Sequence, residues 1–232
     1  MKLIQHLGLL GREGTSDIKA ITEVMNGTYE KKNFKIIAGE HWLDIGLCVG
    51  SFAYYAGKKG AIVTGFEPYS LHIEIAKKNL TGMSNVTLLP FALSDVEGEL
   101  KLSVNSARGN TWRNSLIKSW RGGSEETVKV ESVDKYIEEG INLKIDCEGS
   151  ELAILNRLIT TGDISKVNKI VFEYSWDILP ETITFLNLIR QLSKTHHVSG
   201  ITPKYLEKLE SYKYRPTSWF PACDKIFCVR KV

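Results

Sequence analysis

The sequence predicts an α/β domain built on a mostly parallel sheet, and three observations carry that expectation. Short apolar strands alternate with helix-period segments from Trp42 to Leu89, and again from Asn142 to Ser193. A glycine turn, D-I-G-L-C-V-G (Asp44–Gly50), follows the first of these strands. Acidic residues stand at the strand ends: Glu67, Asp146 and Glu173. Alternation of this kind implies right-handed crossovers. Two strands near the C-terminus would close the sheet as an antiparallel hairpin. The expected architecture is one Rossmann-like α/β domain over residues 1–232, with a seven-stranded mixed sheet whose last strand is antiparallel.

The elements follow in order. Residues 1–40 read as a helical N-terminal extension, with a helix from a Thr15 cap to about Met25, an apolar stripe of Ile18, Ile21 and Met25, and a stop at Asn26-Gly27. Trp42 to Ile45 is a strand, Gly50 to Lys58 a helix, Ala61 to Phe66 a strand. Ser70 to Asn79 is a helix opened by Pro68 and a serine cap, and Asn85 to Leu89 a third strand. Phe91 to Leu93 and Leu100 to Val104 flank Ser94–Gly98 and read as a hairpin. Glu126 to Val133 alternates as a strand, and Asp134 to Glu138 is a short helix. Asn142 to Ile145 is a strand, Ser150 to Leu158 a helix, Lys169 to Glu173 a strand and Pro180 to Ser193 a helix. The closing strands lie near His197 to Ile201 and Lys225 to Val229. Between the Leu100–Val104 and Glu126–Val133 strands, residues 105–125 form a Gly-, Ser- and Arg-rich connection, long enough to be expected to serve function.

Composition narrows the class. A chain of 232 residues with 43% hydrophobic and 25% charged residues can bury a full core. A net charge of +3, spread along the chain, gives no reason to expect nucleic acid. No apolar run approaches the ~18 residues of a membrane span, and no secretory leader is read, so a cytoplasmic location is expected. The four cysteines (48, 147, 223 and 228) lack C-x-x-C spacing and read as reduced thiols.

Ligands of open α/β sheets bind beyond the carboxyl ends of strands. Gly46 and Gly50 bracket a turn where a side chain would block backbone approach to a ligand, and Glu67 is placed to accept from a ribose diol. The spacing is G-x-x-x-G rather than G-x-G-x-x-G, so a pyrophosphate is not expected beside this loop. A cofactor with a ribose but no phosphate there is S-adenosylmethionine (SAM), and Asp44 would suit its ammonium or a network around it.

Four motifs in order, D-I-G-L-C-V-G, G-F-E-P (Gly65–Pro68), F-A-L-S-D-V-E-G-E-L-K-L (Phe91–Leu102) and K-I-D-C-E-G-S-E (Lys144–Glu151), resemble the FkbM-type SAM-dependent methyltransferases. The resemblance runs from about Trp42 to Glu173 and implies the class I methyltransferase fold. It also implies SAM contacts at Asp44, Gly46, Gly50, Ser51, Glu67, Pro68 and Asp146, with Phe91 and Ala92 near the adenine. The chain departs from the family's usual alanine and asparagine after the first glycine, carrying Leu47 and Cys48 instead.

Methyl transfer to a hydroxyl needs alignment of acceptor and methyl and is helped by a base. Asp146 is expected as base or acceptor anchor, with Glu148 and Glu173 as helpers and Glu151 as an ordinary first-turn acid. Three carboxylates at one sheet edge would also suit a divalent cation, but methyl transfer needs none and none is expected. Arg108, Trp112, Arg113 and Trp120 are the expected acceptor-binding residues, with Trp176 and Trp219 helping from the other rim; His196 and His197 are read as structural. The expected function is O-methylation of a sugar, a glycan or a small glycosylated metabolite. Alternatives are methylation of an RNA ribose 2′-hydroxyl, which would want a lysine such as Lys144 near the reaction, and a SAM- or nucleotide-binding module without chemistry. An NAD oxidoreductase is a weaker alternative, because the middle glycine is missing.

Overall fold

The structure, a computed structural model, describes residues 2–105, 109, 113–119, 123–216 and 223–231. It opens with a feature the sequence did not announce. β1 (Leu3–His6) and β2 (Leu9–Arg12) pair as an antiparallel hairpin. Both turn residues have positive φ, Leu7 at 50° and Gly8 at 86°. That turn geometry favours Asn-Gly or Asp-Gly, and Leu-Gly carries no such signal. The extension is therefore a hairpin followed by a helix, α1 (Asp17–Met25). Asp17 is buried at the helix start, where it accepts from the Arg12 backbone (2.9 Å) and guanidinium (2.7 and 2.8 Å).

The alternating region then follows: β3 (His41–Ile45), α2 (Ser51–Lys58), β4 (Ile62–Phe66), α3 (Ser70–Asn79) and β5 (Val86–Leu89). α3 has the expected bounds, but Tyr69 occupies its N-cap and Ser70 is its first residue. After β6 (Ala92–Ser94), β7 (Gly98–Val104) and β8 (Ser124–Ser132), the chain resumes with β9 (Asn142–Ile145), α4 (Glu151–Thr161), β10 (Lys169–Ser175) and α5 (Thr182–Thr195). It ends with β11 (His196–Ser199), α6 (Pro203–Glu210) and β12 (Cys223–Arg230).

The seven-stranded sheet has the order β11-β12-β10-β9-β3-β4-β5. β10, β9, β3, β4 and β5 pair in parallel, and β12 runs antiparallel to both of its neighbours, β10 and β11. The fold class is thus the expected one. The predicted hairpin around Ser94–Gly98 is not formed. β8 lies between β6 and β7, parallel to the first and antiparallel to the second, in a separate three-stranded sheet. Two alternating strands near in sequence read as mutual partners, and no local pattern reveals a third strand that inserts between them.

The sheet is covered on both faces. Leu43, Ile45, Leu143, Ile145, Ile170 and Phe172 pack with α4 and α5. Trp42, Val171 and Phe227 pack on the opposite face with α1 and α2. Among the described residues no helix is long and apolar enough to cross a membrane. Chain order reverses between β3 and β9, so the crevice for a ligand opens beyond their carboxyl ends.

Candidate active site

The loop after β3 and the loop after β9 interlock at that crevice. Asp146 N–H donates to Ile45 O (3.0 Å). Gly46 has φ 84°, and a Cβ there would lie 1.9 Å from Asp146 O. Gly50 has φ 86°, and its Cβ would press on Leu80 at 3.3 Å. The two glycines thus serve the left-handed backbone and the packing of neighbouring elements. Leu47, in place of a smaller residue, packs over Gly65, where a Cβ would come within 1.9 Å of it.

A cleft opens here, lined by Gly46, Glu67, Pro68, Ala92, Asp146 and Glu148. Cys48, His72 and Asn114 also line it, and none of these was singled out in sequence as a ligand contact. Glu67 accepts from Cys48 N–H and Tyr69 N–H, both at 2.8 Å, and lies 3.5 Å from His72 Nδ1. Burial pushes its carboxyl pKa up, but His72 and these backbone donors outweigh burial and hold it below the usual value.

Several expected contacts lie elsewhere. Gly50 and Ser51 are not part of the cleft wall, and Phe91 packs against Phe66 (5.7 Å between ring centres). Asp44 is fully buried on the α1/α2 face, 3.0 Å from the buried Lys144. Its carboxyl pKa is pushed up to about 6 by burial, with Lys144 opposing. Lys144 also donates to Gly46 O (2.7 Å). Burial works against its ammonium, yet Asp44 and Asp146 overcome that and raise its pKa. The two strand-end charges neutralise one another inside the sheet, because an unpaired charge there would be far too costly. Neither points to the cleft.

Asp146 does line it, and its carboxylate accepts from the Tyr29 hydroxyl (2.7 Å). Tyr29 is 5% exposed. Burial, then Asp146 and Glu173, push its phenol far above its usual pKa, so it stays a donor. Lys225 Nζ stands 4.0 Å from the Tyr29 ring centre and 3.5 Å from Glu173. Sequence reading missed Tyr29 and Lys225, which come from segments far from the motifs. Glu173 lies within β10, two residues short of its end, and does not line the cleft.

Glu148 is a non-glycine residue at φ 52°, where Gly149 follows at 109°. A Cβ on Gly149 would meet Ile178 at 2.7 Å, so the turn is tightly packed. Glu148 accepts from Arg113 Nε (3.1 Å), and Arg113 Nη2 is bidentate to Asp177 (2.7 and 2.8 Å). Glu151 accepts from the Cys147 and Gly149 N–H groups (2.9 and 2.8 Å), the role of a first-turn acid. Burial pushes Glu148 to about 8 and Glu151 to about 7. Both carboxyls bind a proton more tightly folded than unfolded. Their contribution to stability is therefore full below about pH 4.5 and is lost as pH rises through their folded values. Glu148→Gln removes one titrating group. Its urea midpoint is expected to fall less than that of the wild type between about pH 5 and pH 8; equal slopes would contradict the assignment.

Arg113 is the expected acceptor residue within the described chain; Arg108, Trp112, Trp120 and Trp219 lie outside it. Trp176 is not a rim residue, for it is 3% exposed and its indole donates to Asp224 (2.6 Å). His196 is buried and hydrogen-bonded to Val167 O (2.9 Å), a structural role. Among the described residues no three His, Cys, Asp or Glu side chains are grouped to hold a metal. Asp146, Glu148 and Glu173 each face a different partner.

Comparison with known proteins bears on this site. Among curated proteins none matches this chain by sequence. In fold it is similar to the Methanococcus jannaschii fibrillarin pre-rRNA processing protein, with 10% identity and a TM-score of 0.50 over 99% of this chain and 82% of that one. It is similar also to a precorrin-6y C5,15-methyltransferase from Geobacter metallireducens (11% identity, TM-score 0.45, 95% and 93% covered). A third is the Pyrococcus abyssi tRNA (uracil-54, C5)-methyltransferase in complex with S-adenosyl-L-homocysteine (14%, TM-score 0.44, 100% and 45%). The methyltransferase FkbM domain matches residues 44–215, a span that includes the Gly46 loop, Glu67 and Asp146. The chain belongs to the FkbM methyltransferase family and is a SAM-dependent methyltransferase.

Proposed function

We propose that this enzyme transfers the methyl group of SAM to a hydroxyl of a sugar, a glycan or a small glycosylated metabolite. The observation that supports this most is Asp146, a carboxylate on the cleft wall beside the Gly46 loop, held by the buried Tyr29 hydroxyl. SAM supplies an electrophilic methyl on a sulfonium. An alcohol is a weak nucleophile at neutral pH, so a carboxylate that takes its proton as the C–O bond forms speeds the step. Asp146 is that group, and Tyr29 fixes its orientation. Glu148 lines the same wall with its carboxyl pKa raised to about 8, where it donates or accepts a hydrogen bond to the acceptor. Glu173 acts from behind, through Lys225 and Tyr29. Glu67 receives the ribose hydroxyls, the backbone at Gly46 closes against the cofactor, and Pro68 and Ala92 bound its adenine side.

The acceptor is read as uncharged. Among the described residues near the mouth, Arg113 is engaged by Glu148 and Asp177, and Lys118 by Asp177 (3.4 Å). That arrangement disfavours a polyanion. Methylation of an RNA ribose is further disfavoured because Lys144, its candidate lysine, is 4% exposed and held by Asp44 and Gly46 O.

Calorimetric titration with S-adenosylhomocysteine tests the cofactor assignment. Wild-type protein is expected to bind in the micromolar range, and Glu67→Gln at least about tenfold more weakly. Equal affinity would remove Glu67 from the site. Transfer of labelled methyl from SAM to neutral glycans, and none to RNA, tests the acceptor.

A further inference from the structure

Three side chains on the cleft wall form a chain of which the proposed methyl transfer uses only Glu67. Cys48 Sγ is 3.9 Å from His72 Nε2, and His72 Nδ1 is 3.5 Å from Glu67. The imidazole is 2% exposed, with its ring edge-on to Tyr69, so both nitrogens are committed to these partners. Cys48 is half-buried and lines the cleft. Sulfur, imidazole and carboxylate in a row are the parts of an activated nucleophile: the acid orients the ring and the ring serves the sulfur. Burial disfavours a proton on His72, yet Cys48 and Glu67 on its two sides raise its pKa to about 10.

A second cysteine on the same wall supplies the contrast. Cys147 also lines the cleft, but burial and then the carboxylates of Glu151 and Asp146 push its thiol far above the usual pKa. Cys228 is fully buried. Access to the cleft is common to Cys48 and Cys147; only Cys48 has the imidazole.

We propose that Cys48 is a redox-modification site of the cofactor loop, oxidised by hydroperoxides to the sulfenic acid, and that the oxidised loop excludes SAM. The sulfur attacks the distal peroxide oxygen, so an S–O bond forms as the O–O bond breaks. His72 gives its proton to the departing alkoxide or hydroxide. Sulfur loses two electrons, the peroxide is reduced to an alcohol or water, and a thiol restores the cysteine. A polar oxygen then enters the cleft beside the Cys48 N–H that binds Glu67. The exclusion of SAM rests on the cofactor assignment of Glu67; the oxidation does not.

Wild-type protein is treated with hydrogen peroxide in the presence of dimedone, and each cysteine peptide is followed by mass spectrometry. Cys48 is expected to be trapped about tenfold or more faster than Cys147, and saturating S-adenosylhomocysteine to suppress its trapping. His72→Gln is expected to slow Cys48 about tenfold without changing Cys147. Equal rates at Cys48 and Cys147 in the wild type overturn the proposal whether or not the His72 variant folds. Without dimedone, peroxide is expected to weaken S-adenosylhomocysteine binding, and dithiothreitol to restore it. Cys48→Asn, which lacks the thiol and suits a φ of 53°, is expected to show no peroxide effect on its affinity. Oxidised Cys48 with unchanged affinity overturns the exclusion step. Untreated protein that fails to bind S-adenosylhomocysteine overturns the cofactor assignment alone, and the trapping ratio still decides the oxidation.

Discussion

Asp146→Ala is expected to reduce methyl transfer to background, a loss of about 10²–10⁴-fold in kcat, while S-adenosylhomocysteine still binds. The carboxylate is on the cleft wall, and the cofactor-side contacts assigned to Gly46 and Glu67 do not pass through it. The alanine variant also strands the buried Tyr29 hydroxyl, which costs about 1–3 kcal/mol of stability. Asp146→Asn separates the two effects. Its amide oxygen still accepts from Tyr29, but it cannot take a proton from an alcohol. The asparagine variant is expected to be as inactive as the alanine one and nearly as stable as the wild type. Labelled-methyl transfer to the acceptor found by screening, together with urea denaturation, measures both. Turnover at the wild-type rate in either variant would remove Asp146 from the chemistry.

Gly46→Ala should be the most damaging single substitution in the cofactor loop. A Cβ would sit 1.9 Å from Asp146 O, a backbone atom held in the next strand's turn, on a residue with φ 84°. Relief requires moving one of two interlocked loops, and both end strands at the centre of the sheet. We expect a loss of more than about 3 kcal/mol and no S-adenosylhomocysteine binding, or failure to fold. Gly82→Ala is the control. Gly82 has φ 81°, but nothing stands within 4 Å of the place a Cβ would take, so it carries only the conformational cost of about 1 kcal/mol. Similar losses for the two variants would show that strain alone, and not the contact between the loops, accounts for Gly46.

Much of the scaffold was legible because its signals are local. The strand–helix alternation is written in short apolar runs and helix-period segments, and α3 and β9 have the expected bounds. The strand-end acids Glu67 and Asp146 were found because a parallel sheet puts its ligands at those ends. Glu151 was readable as a first-turn acid, since three residues of turn place it over the N–H groups it accepts. Asp44 looked the same in sequence and is different. It stands opposite Lys144 in the register of β3 and β9, and a hundred residues separate the two charges that bury one another.

The sequence by itself determined the fold class, the family and the two loops that form the cleft, because each is encoded by neighbouring residues with a fixed period or turn. Only the tertiary structure decided which acids face that cleft and what tunes them. β8 entering between β6 and β7, Tyr29 reaching Asp146 and Lys225 reaching Glu173 are pairings across long stretches of chain. Strand insertion, burial and charge compensation depend on what packs together in space, and that is set by the whole fold rather than by any segment of it.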